Sequence, residues 1–362
     1  MSNWIKDHKS LIATGVLSTA AITLLLKYMS GPSKQLNKFG GITLEKILVY
    51  PIKSCGPIEL KSCKLSPFGL ENDRRFMLIN RKENRYVNQK VYPMMSTIKC
   101  KYSQDGKYLI VSKEGLEDLR ISLEPLDAAD IDPSRVYKEV KMFDNISQVY
   151  DQGDEQSEWF AKALGNPDIR FTQMMPVGEY NRNIRVHMAE SIDASNIARF
   201  KNSLSNSCHI MFLSQATIDD VNVRIEKTRK EKGETSQAPL TWDRYRPNFV
   251  FSGCTPYQED DWSSYTLGGE VDFQVADYNG RCPIVTVQQD TGVLDPFGDD
   301  EPLRTLRTYR LSKCKAGEKT LLGQYIVVHE NMIGKTVNIG DQLTNLKNGF
   351  ESKYFTKVNF EK

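Results

Sequence analysis

Apolar and polar residues alternate along much of the chain after residue 41, which is the period of strands with one buried face. Such stretches, bounded by Gly, Pro and Asp-Gly turn signals, predict strands at 42–51, 58–66, 75–80, 97–102, 108–112 and 119–123. A second group is predicted at 248–252, 266–268, 271–276, 282–288 and 324–328. Many short strands at regular intervals are typical of barrels and sandwiches.

Helical signals are fewer and fall mainly in the second half of the chain. The stretch DEQSEWFAKALG begins with Asp154 and ends with Gly165, a residue favoured just after a helix. Residues 208–230 are typical of a strand that leads into a helix, with Ser214 as the N-cap. A short helix is predicted near 302–310, and the polar stretch 227–243 predicts an irregular loop. The fold class is therefore α+β and mainly β, with two β-rich units.

The start of the chain has a different pattern. Residues 11–26 carry no charge, and Lys9 and Lys27 flank them closely enough to place their amines at a membrane interface. No small-residue cleavage motif follows the segment, which disfavours a signal peptide. The start of the chain lacks arginine and contains Asp7, which disfavours a matrix transit peptide. The sequence predicts a tail at 1–10, a single transmembrane helix at 11–29 and a linker at 30–41.

Composition excludes several classes of protein. The 48 Lys and Arg nearly balance 46 Asp and Glu, whereas a nucleic-acid binder would be strongly basic. The seven cysteines form no Cys-x-x-Cys pair, so a reducing compartment fits better than a disulfide framework. The four histidines show no ligand spacing, which disfavours a zinc site. No P-loop, Rossmann or nucleophile-elbow motif is found between a strand and a helix.

Two polar stretches near predicted strand ends could bind an anion. YPIKSCGP places Lys53 and Ser54 in a turn, where an amine and a hydroxyl are good donors to phosphate. NDRRF places Arg74 beside Arg75, so that in a strand only one of them can face inward. Taken alone, each stretch fits an ordinary exposed turn or a surface charge pair better.

Two further stretches lie beside apolar strands in the second half. In RYRPNF, Pro247 restricts the backbone between Arg246 and Asn248, and a capping role explains these residues about as well as a ligand does. In YNGRCPIVTV, Asn-Gly predicts a turn and the apolar run a strand, with Cys282 at the mouth of that strand beside Arg281. Cys282 could be a core residue, a reactive thiol or a metal ligand. A cysteine-protease site is not supported, because no histidine lies in a recognisable motif.

In order along the chain, the motifs YPIKSCGP, DRRF, FLSQATI, YRPN, RCPIVTV with DTG, EPLRTLRTYR and GQY resemble those of one family. That family is the MOSC-domain molybdenum proteins, and within it the mitochondrial amidoxime-reducing components. The resemblance runs from about residue 42 to about residue 346. It implies a MOSC N-terminal β-barrel domain at 42–165 and a MOSC β-barrel domain with flanking helices at 166–350, with a molybdenum–molybdopterin cofactor between them.

The resemblance also implies roles for single residues. Cys282 matches the cysteine that ligates molybdenum, and it would be both the catalytic residue and the metal ligand. The other matched cofactor-binding positions are Lys53, Ser54, Arg75, Ser214, Arg246, Asn248 and Arg281. Ser214 is expected to offer a helix start to the cofactor's phosphate. The chain departs from the family pattern at 227–243, at 295–302 and at Gly280, which bears on substrates and partners more than on cofactor binding.

The function implied is an oxidoreductase that removes the N-hydroxyl oxygen from amidoximes, hydroxylamines and similar compounds. The resemblance implies that its electrons come from a b-type cytochrome and an NADH-dependent cytochrome reductase. A partner is required, because no flavin, haem or nicotinamide motif is visible. Tethering on one membrane would raise the effective concentration of these partners. The implied location is the mitochondrial outer membrane, single-pass, with the body facing the cytosol. Peroxisomal and endoplasmic membranes are the alternatives.

Two other functions are compatible with the sequence. MOSC domains also end the molybdenum cofactor sulfurases, so the chain could be a cofactor carrier or sulfur-transfer module. Against full sulfurase activity, residues 29–42 leave no room for an upstream pyridoxal phosphate domain. The second alternative is a metal-free anchored scaffold, whose function would not change on substitution of Cys282→Ser.

Overall fold

The computed structural model describes residues 41–143, 145–176 and 182–360. The strands, numbered along the chain, are β1 Thr43–Val49, β2 Ile58–Leu60, β3 Ser62–Ser66, β4 Gly69–Leu70, β5 Phe76–Asn80, β6 Arg85–Tyr86, β7 Lys99–Tyr102, β8 Tyr108–Ser112, β9 Leu119–Ser122, β10 Val136–Met142, β11 Asn145–Asp151, β12 Ile169–Met174, β13 Ile210–Ser214, β14 Phe249–Ser252, β15 Trp262–Leu267, β16 Val271–Arg281, β17 Val287–Gln288, β18 Val293–Leu294, β19 Arg310–Cys314, β20 Gly317–Val327, β21 Thr336–Asn338, β22 Leu343–Asn348 and β23 Thr356–Phe360. The α-helices of the described ranges are α1 Asp154–Leu164, α2 Val186–Asp193, α3 Gln215–Glu231 and α4 Leu303–Tyr309. The mainly β prediction is confirmed.

The anchor predicted at 11–29 lies outside the described residues. Within the described part of the chain, no helix is both long and apolar enough to cross a membrane.

Five strands of the first half close into a small barrel in the order β10-β11-β12-β5-β6. Every residue of β5 is buried, with Phe76 and Leu78 in one hydrophobic cluster and Met77 and Ile79 in another. Burial on both faces explains why this strand is an unbroken apolar run in the sequence. Strands β10 and β11 escaped prediction because they carry several exposed polar residues and a weaker alternation.

A three-stranded sheet of β7, β8 and β9 shares a hydrophobic core with the barrel and α1. Phe160 of α1 stacks on Phe171 of β12 with ring centroids 4.8 Å apart. Gly165 ends the helix at φ 67°, a backbone conformation that favours glycine. The predicted helix and its C-terminal glycine are thereby confirmed.

The second half is built on a ten-stranded sheet, in which β2-β1-β14-β13-β20-β16-β15-β22 form the main path. The sheet curls until its two ends meet. At the junction the Leu343 N–H donates to Ile42 O at 2.9 Å, and the Leu44 N–H donates to Asp341 O at 2.9 Å. An aromatic core fills the curl, with Phe212 stacked on Trp262 at 5.8 Å and Tyr265 packed edge-on against both.

Strands β1 and β2 belong to this large sheet although they precede the barrel in the chain. β1 pairs antiparallel with β14, with Ile47 opposite Phe249. The barrel is thus inserted between two parts of one sheet, and the described residues form a single compact unit. The predicted domain boundary near residue 165 stays a prediction.

Helices α3 and α4 pack together on the large sheet through a shared hydrophobic cluster. Ser214 is the N-cap of α3, as predicted, and its hydroxyl accepts from the Thr217 N–H at 3.1 Å. The predicted loop at 227–243 was partly wrong, because α3 continues to Glu231. Its last turns remain helical because Ile225 and Arg229 are buried. The following segment is fastened by two hydrogen bonds between the Asn222 amide and the backbone of Leu240, each 2.8 Å.

Candidate cofactor site

A cavity of about 470 Å³ lies between the barrel and the large sheet. Its lining includes eight cationic side chains: Lys53, Arg74, Lys90, Arg185, Arg244, Arg246, Arg281 and Lys319. No Asp or Glu is among the described residues that line it. A concave site with this charge suits an anionic ligand such as a phosphate ester.

The floor of the cavity is reached by the end of β16. The sequence predicted a turn at Asn279-Gly280, which was wrong. It also predicted a strand from Cys282 to Gln288, which was partly wrong because only β17 at its end is a strand. β16 runs through these residues to Arg281, with a register shift between Tyr278 and Gly280. Pro283 has no N–H for a ladder and instead begins a 3-10 helix, Pro283–Thr286. Cys282 therefore follows one strand rather than opening the next.

Three cysteines line the cavity, and they differ in availability. Cys208 is buried with its Sγ 3.5 Å from Ile326 O, and burial raises the pKa of its thiol to about 12. The Cys314 thiol donates to Gly317 O at 3.1 Å inside a hairpin. The half-buried Cys282 thiol makes no hydrogen bond with a described residue. Of the three, Cys282 is the thiol most free to bind a ligand.

Lys53 brings a buried amine to the cavity. It is 5% exposed, and its Nζ donates to Leu204 O at 2.8 Å and to the Asn206 side chain. Burial, reinforced by Arg182, Arg74 and Arg246, lowers the pKa of Lys53 well below its ordinary value. Its hydrogen-bond partners are neutral, so nothing in these contacts balances its charge. A bound anion would do so.

Two guanidinium groups flank the buried ring of Tyr50. Arg74 and Arg246 each lie 4.3 Å from its centroid. Arg74 forms an ion pair with Asp73, whereas Arg246 donates to Cys55 O at 2.8 Å and to Gln289 Oε1 at 3.3 Å. Burial lowers the pKa of Arg246. The stack fixes Arg246 as a rigid donor without neutralising it.

Three residues that line the cavity have a strained backbone. Ser54, Arg74 and Arg246 have φ values of 72°, 48° and 55°, in the left-handed region. This conformation costs a non-glycine residue about 1–2 kcal/mol and clusters at functional sites.

Arg281 lies under the cavity and is bonded only to neutral partners. Its Nε donates to Leu322 O at 2.8 Å and its Nη1 to Tyr245 O at 2.9 Å, and burial lowers its pKa to about 10. Gly323 of the GQY motif makes room for this packing. A Cβ there would lie 2.6 Å from Phe212 O and 3.3 Å from Arg281 Nη2.

Residues 41–167 match the model of the MOSC N-terminal beta barrel domain, and residues 199–344 match the MOSC domain. This chain is a MOSC-domain protein. The cavity of this MOSC protein is lined from both matched regions.

Several curated relatives support the assignment at modest identity. Mitochondrial amidoxime reducing component 2 of Bos taurus is 28% identical over 294 residues, which are 80% of this chain and 78% of the relative. Mitochondrial amidoxime-reducing component 1 of Homo sapiens is 27% identical over 83% of this chain and 81% of its own. Molybdenum cofactor sulfurase of Oryza sativa subsp. japonica is 29% identical over 83% of this chain, which spans only 35% of that protein. A solution structure from Bordetella bronchiseptica covers 31% of this chain and 88% of its own at 17% identity, with a TM-score of 0.25.

The structure brings six of the eight predicted site residues to the cavity of the MOSC protein, namely Lys53, Ser54, Arg246, Asn248, Arg281 and Cys282. The Asn248 amide is already occupied, since its Oδ1 accepts from the Met211 N–H at 3.1 Å and its Nδ2 donates to Leu48 O at 3.0 Å. Asn248 thus joins β1 to the entrance of β13. Ser54 lies in a turn at the cavity, and its backbone carbonyl accepts a hydrogen bond from Gln89 Nε2 at 2.7 Å.

The structure does not place Arg75 or Ser214 in the lining of the cavity. Arg75 Nη1 donates to Leu123 O at 2.7 Å and its Nη2 donates to Glu124 O at 2.5 Å. Ser214 donates to the buried carboxylate of Glu259 at 2.9 Å. Both side chains serve local packing in these contacts.

The cavity is also lined by residues that were not among the eight predicted site residues. Arg74, rather than the predicted Arg75, lines the cavity. The positive φ of Arg74 turns the chain just before β5, so the alternation of side chains in the strand does not extend to Arg74. Ser205, Asn206 and Ser207 line the cavity from an irregular segment without a recognised motif. Arg244 could have been weighed with its neighbours in RYRPN, since it too precedes the apolar strand.

The described residues of this MOSC protein offer few side-chain donors for a metal centre. No cluster of three or more His, Cys, Asp or Glu that could hold a metal is found among the described residues. Protein side chains alone therefore do not build a closed site. One available thiol among buried cations fits a metal whose other ligands arrive with an organic anion.

Proposed function

We propose that this MOSC protein binds a molybdenum–molybdopterin cofactor in the cavity and reduces N-hydroxylated compounds. The observation that carries the proposal is the cationic cavity, without a carboxylate among its described lining residues, around the available thiol of Cys282. The names of the relatives, which refer to amidoxime reduction and to the molybdenum cofactor, support the same chemistry.

Each group has a role in binding. Cys282 would provide the protein's thiolate ligand to molybdenum, while Lys53, Arg246 and Arg281 would hold the anionic parts of the cofactor. Ser54 and Asn248 would keep the turn and strand end that carry these cations in place. When bound, the cofactor supplies two-electron redox chemistry. The chain's own residues orient it and neutralise its charge.

The source of electrons and the location belong to the same proposal. A b-type cytochrome and its NADH-dependent reductase would supply electrons, and an anchor at 11–29 would hold the protein on the mitochondrial outer membrane with its body facing the cytosol. The uncharged stretch 11–26 and the mitochondrial names of the relatives support this part. Fractionation of cells that express the full chain, with and without Leu→Asp substitutions in 11–26, tests the location.

The decisive experiment measures molybdenum and pterin in the full chain purified from cofactor-producing cells. The wild type should contain both in nearly equal amounts with the protein. Cys282→Ala should lose molybdenum or change its absorption spectrum, because it removes the thiolate. Cys314→Ala is the matched control, since it removes another cavity thiol that already has a partner.

Turnover is then measured with benzamidoxime and a chemical one-electron donor. Folded wild-type protein without molybdenum would overturn the proposal and leave the scaffold. Equal molybdenum content and spectra in Cys282→Ala and wild type would refute the role of Cys282.

A sulfur-transfer module is the second candidate, because identity to the rice sulfurase is as high as identity to the reductases. A sulfur carrier would hold transferable sulfur on Cys282, which cyanide would release as thiocyanate. Thiocyanate from the wild type but not from Cys282→Ala, without reduction of N-hydroxyl compounds, would favour this candidate over the reductase.

A further inference from the structure

A histidine and a carboxylate form a pair at the cavity, apart from the cationic groups. His187 on α2 lines the cavity, and its Nε2 lies 3.5 Å from Oδ2 of Asp277 on β16. The imidazole stacks on Tyr354, with centroids 4.0 Å apart and planes within 10°. The ring is therefore held between an aromatic face and a carboxylate.

The carboxylate is fixed in turn. Asp277 is buried, and its Oδ1 accepts from the Tyr278 N–H at 2.8 Å. Ser191 of α2 donates to Ala276 O at 2.8 Å, which ties the helix of His187 to the strand of Asp277. The spacing between the two groups is thus set by packed elements rather than by loops.

The two histidines that line the cavity differ in what their nitrogens do. In His209, Nδ1 accepts from the Val328 N–H at 3.0 Å and Nε2 contacts Lys201 O. His209 is therefore committed to the backbone. In His187, Nε2 is buried without a hydrogen bond of good geometry, and Nδ1 makes none with a described residue. His187 has the free nitrogen that a proton transfer needs.

The proposed reaction requires protons as well as electrons. For a hydroxylamine, R–NHOH + 2e⁻ + 2H⁺ gives R–NH₂ + H₂O: the N–O bond breaks, an N–H bond forms and the oxygen leaves as water. The bound cofactor would supply the two electrons, and an external one-electron donor would replace them. The oxygen leaves more easily if a group in the cavity protonates it.

We propose that Asp277 and His187 form a relay that protonates the departing N-hydroxyl oxygen. His187 gives the proton on Nδ1 to the oxygen as the N–O bond breaks, and the proton held by Asp277 moves to Nε2. The second proton comes from water. His187 is the catalytic residue, while Asp277 and Tyr354 are positioning residues. This inference rests on the proposed function.

The local charges suit this order of transfer. Burial raises the pKa of Asp277 to about 6, and burial together with Arg185 lowers the pKa of His187 to about 4. Besides Arg185, the groups that face the pair are Ser352, Tyr278, Tyr354 and the thiol of Cys208. Between about pH 4 and about pH 6 the carboxyl therefore holds the proton while the imidazole stays neutral. The 3.5 Å gap needs to close by a few tenths of an ångström, as catalytic hydrogen bonds do on substrate binding.

Two of these residues lie outside the family matches. His187 falls between the regions 41–167 and 199–344, and Tyr354 follows the second region. The relay therefore depends on segments that flank the matched domains.

The first test is independent of turnover. Infrared difference spectra of the full chain, recorded against pH, should show a protonated-carboxyl band that titrates near pH 6. The band should be absent in Asp277→Asn and shifted in His187→Gln. His329→Gln is the matched control, because this half-buried histidine is outside the lining, and it should leave the band unchanged. A band that survives in Asp277→Asn without change would overturn the relay.

The second test is the pH profile of benzamidoxime reduction with molybdenum-replete protein. His187→Gln and Asp277→Asn should lower kcat by about 100-fold with little change in KM, the size expected for a lost acid. The limb of the profile near pH 6 should vanish in Asp277→Asn. An active wild type whose His187→Gln variant keeps its rate and profile would overturn the relay alone. A molybdenum-replete wild type that reduces no N-hydroxyl compound would overturn the reductase as well.

Discussion

Buried cations occur in two regions of this protein, and their surroundings differ. Arg310, the fully buried first residue of β19 in the large sheet, donates to both oxygens of Asp260 at 2.6 and 3.0 Å and packs on the Phe360 ring at 3.7 Å. Arg281 at the cavity donates to backbone carbonyls instead. The first charge is balanced inside the chain, and the second is not.

The pKa values reflect this contrast. Burial opposes the charge of Arg310, yet the carboxylate of Asp260 raises its pKa. Burial lowers the pKa of Arg281 to about 10. A buried ion without a counterion is costly, so a chain that keeps several of them around a cavity is prepared for an anion from outside. Charge balance thus distinguishes Arg310, whose counterion lies within the chain, from Arg281, which we propose binds an anion.

The largest expected effect is the loss of stability when the balanced pair of Arg310 and Asp260 is broken. Asp260→Asn leaves the Arg310 cation buried without its carboxylate, and we expect a loss of about 3–5 kcal/mol in the free energy of unfolding. Urea denaturation of the full chain measures it. Asp300→Asn, which removes an exposed ion pair with Arg307, should cost at most about 1 kcal/mol. Equal losses in both variants would contradict the contrast.

For a cavity cation that has no carboxylate among its hydrogen-bond partners, a substitution should weaken ligand binding more than it weakens folding. Lys53→Met removes a charge-assisted donor, and we expect cofactor retention on dialysis to weaken about 10–100-fold, since such bonds contribute about 1.5–3 kcal/mol. The stability of the cofactor-free protein should not fall, because the lost cation has no counterion among its hydrogen-bond partners. Lys90→Met, at an exposed lining position, is the control and should retain cofactor better.

The contrast also has a pH dependence. The pKa of Lys53 is lowered in the folded state, so between that lowered value and its ordinary 10.5 the unfolded chain binds more protons. Stability of the cofactor-free protein therefore rises with pH across this window, because the penalty for a buried ammonium disappears. Urea denaturation at a series of pH values should show the rise in the wild type relative to Lys53→Met. A constant difference between the two would refute the lowered pKa.

Substitution of Ser214 should lower stability by a smaller amount and leave cofactor binding unchanged. Ser214→Ala removes the N-cap of α3 and a hydrogen bond to Glu259, so we expect a loss of about 1–2 kcal/mol in stability. Molybdenum content should be unchanged once the protein is folded. A selective loss of molybdenum would restore the phosphate-binding role that the family resemblance implied.

Sequence reasoning succeeded where the local signal agrees with tertiary packing. β8, the N-cap Ser214 and the C-terminal Gly165 lie where they were predicted. It failed at Asn279-Gly280, because pairing with β20 and a register shift keep this turn signal inside a strand. It also missed Asn206, whose side chain accepts a hydrogen bond from Lys53, a residue 153 positions earlier in the chain.

The pairing of β1 with β14 constrains how the protein is made. β1 carries four fully buried apolar residues, Leu44, Ile47, Leu48 and Val49, and its long-range partners follow about 200 positions later. The five barrel strands are all synthesised by Met174, so during translation the barrel can close while β1 is still without β14. A nascent chain therefore exposes an unpaired apolar strand edge for as long as the ribosome takes to reach β14. Shielding that edge is a task for chaperones rather than for the finished fold.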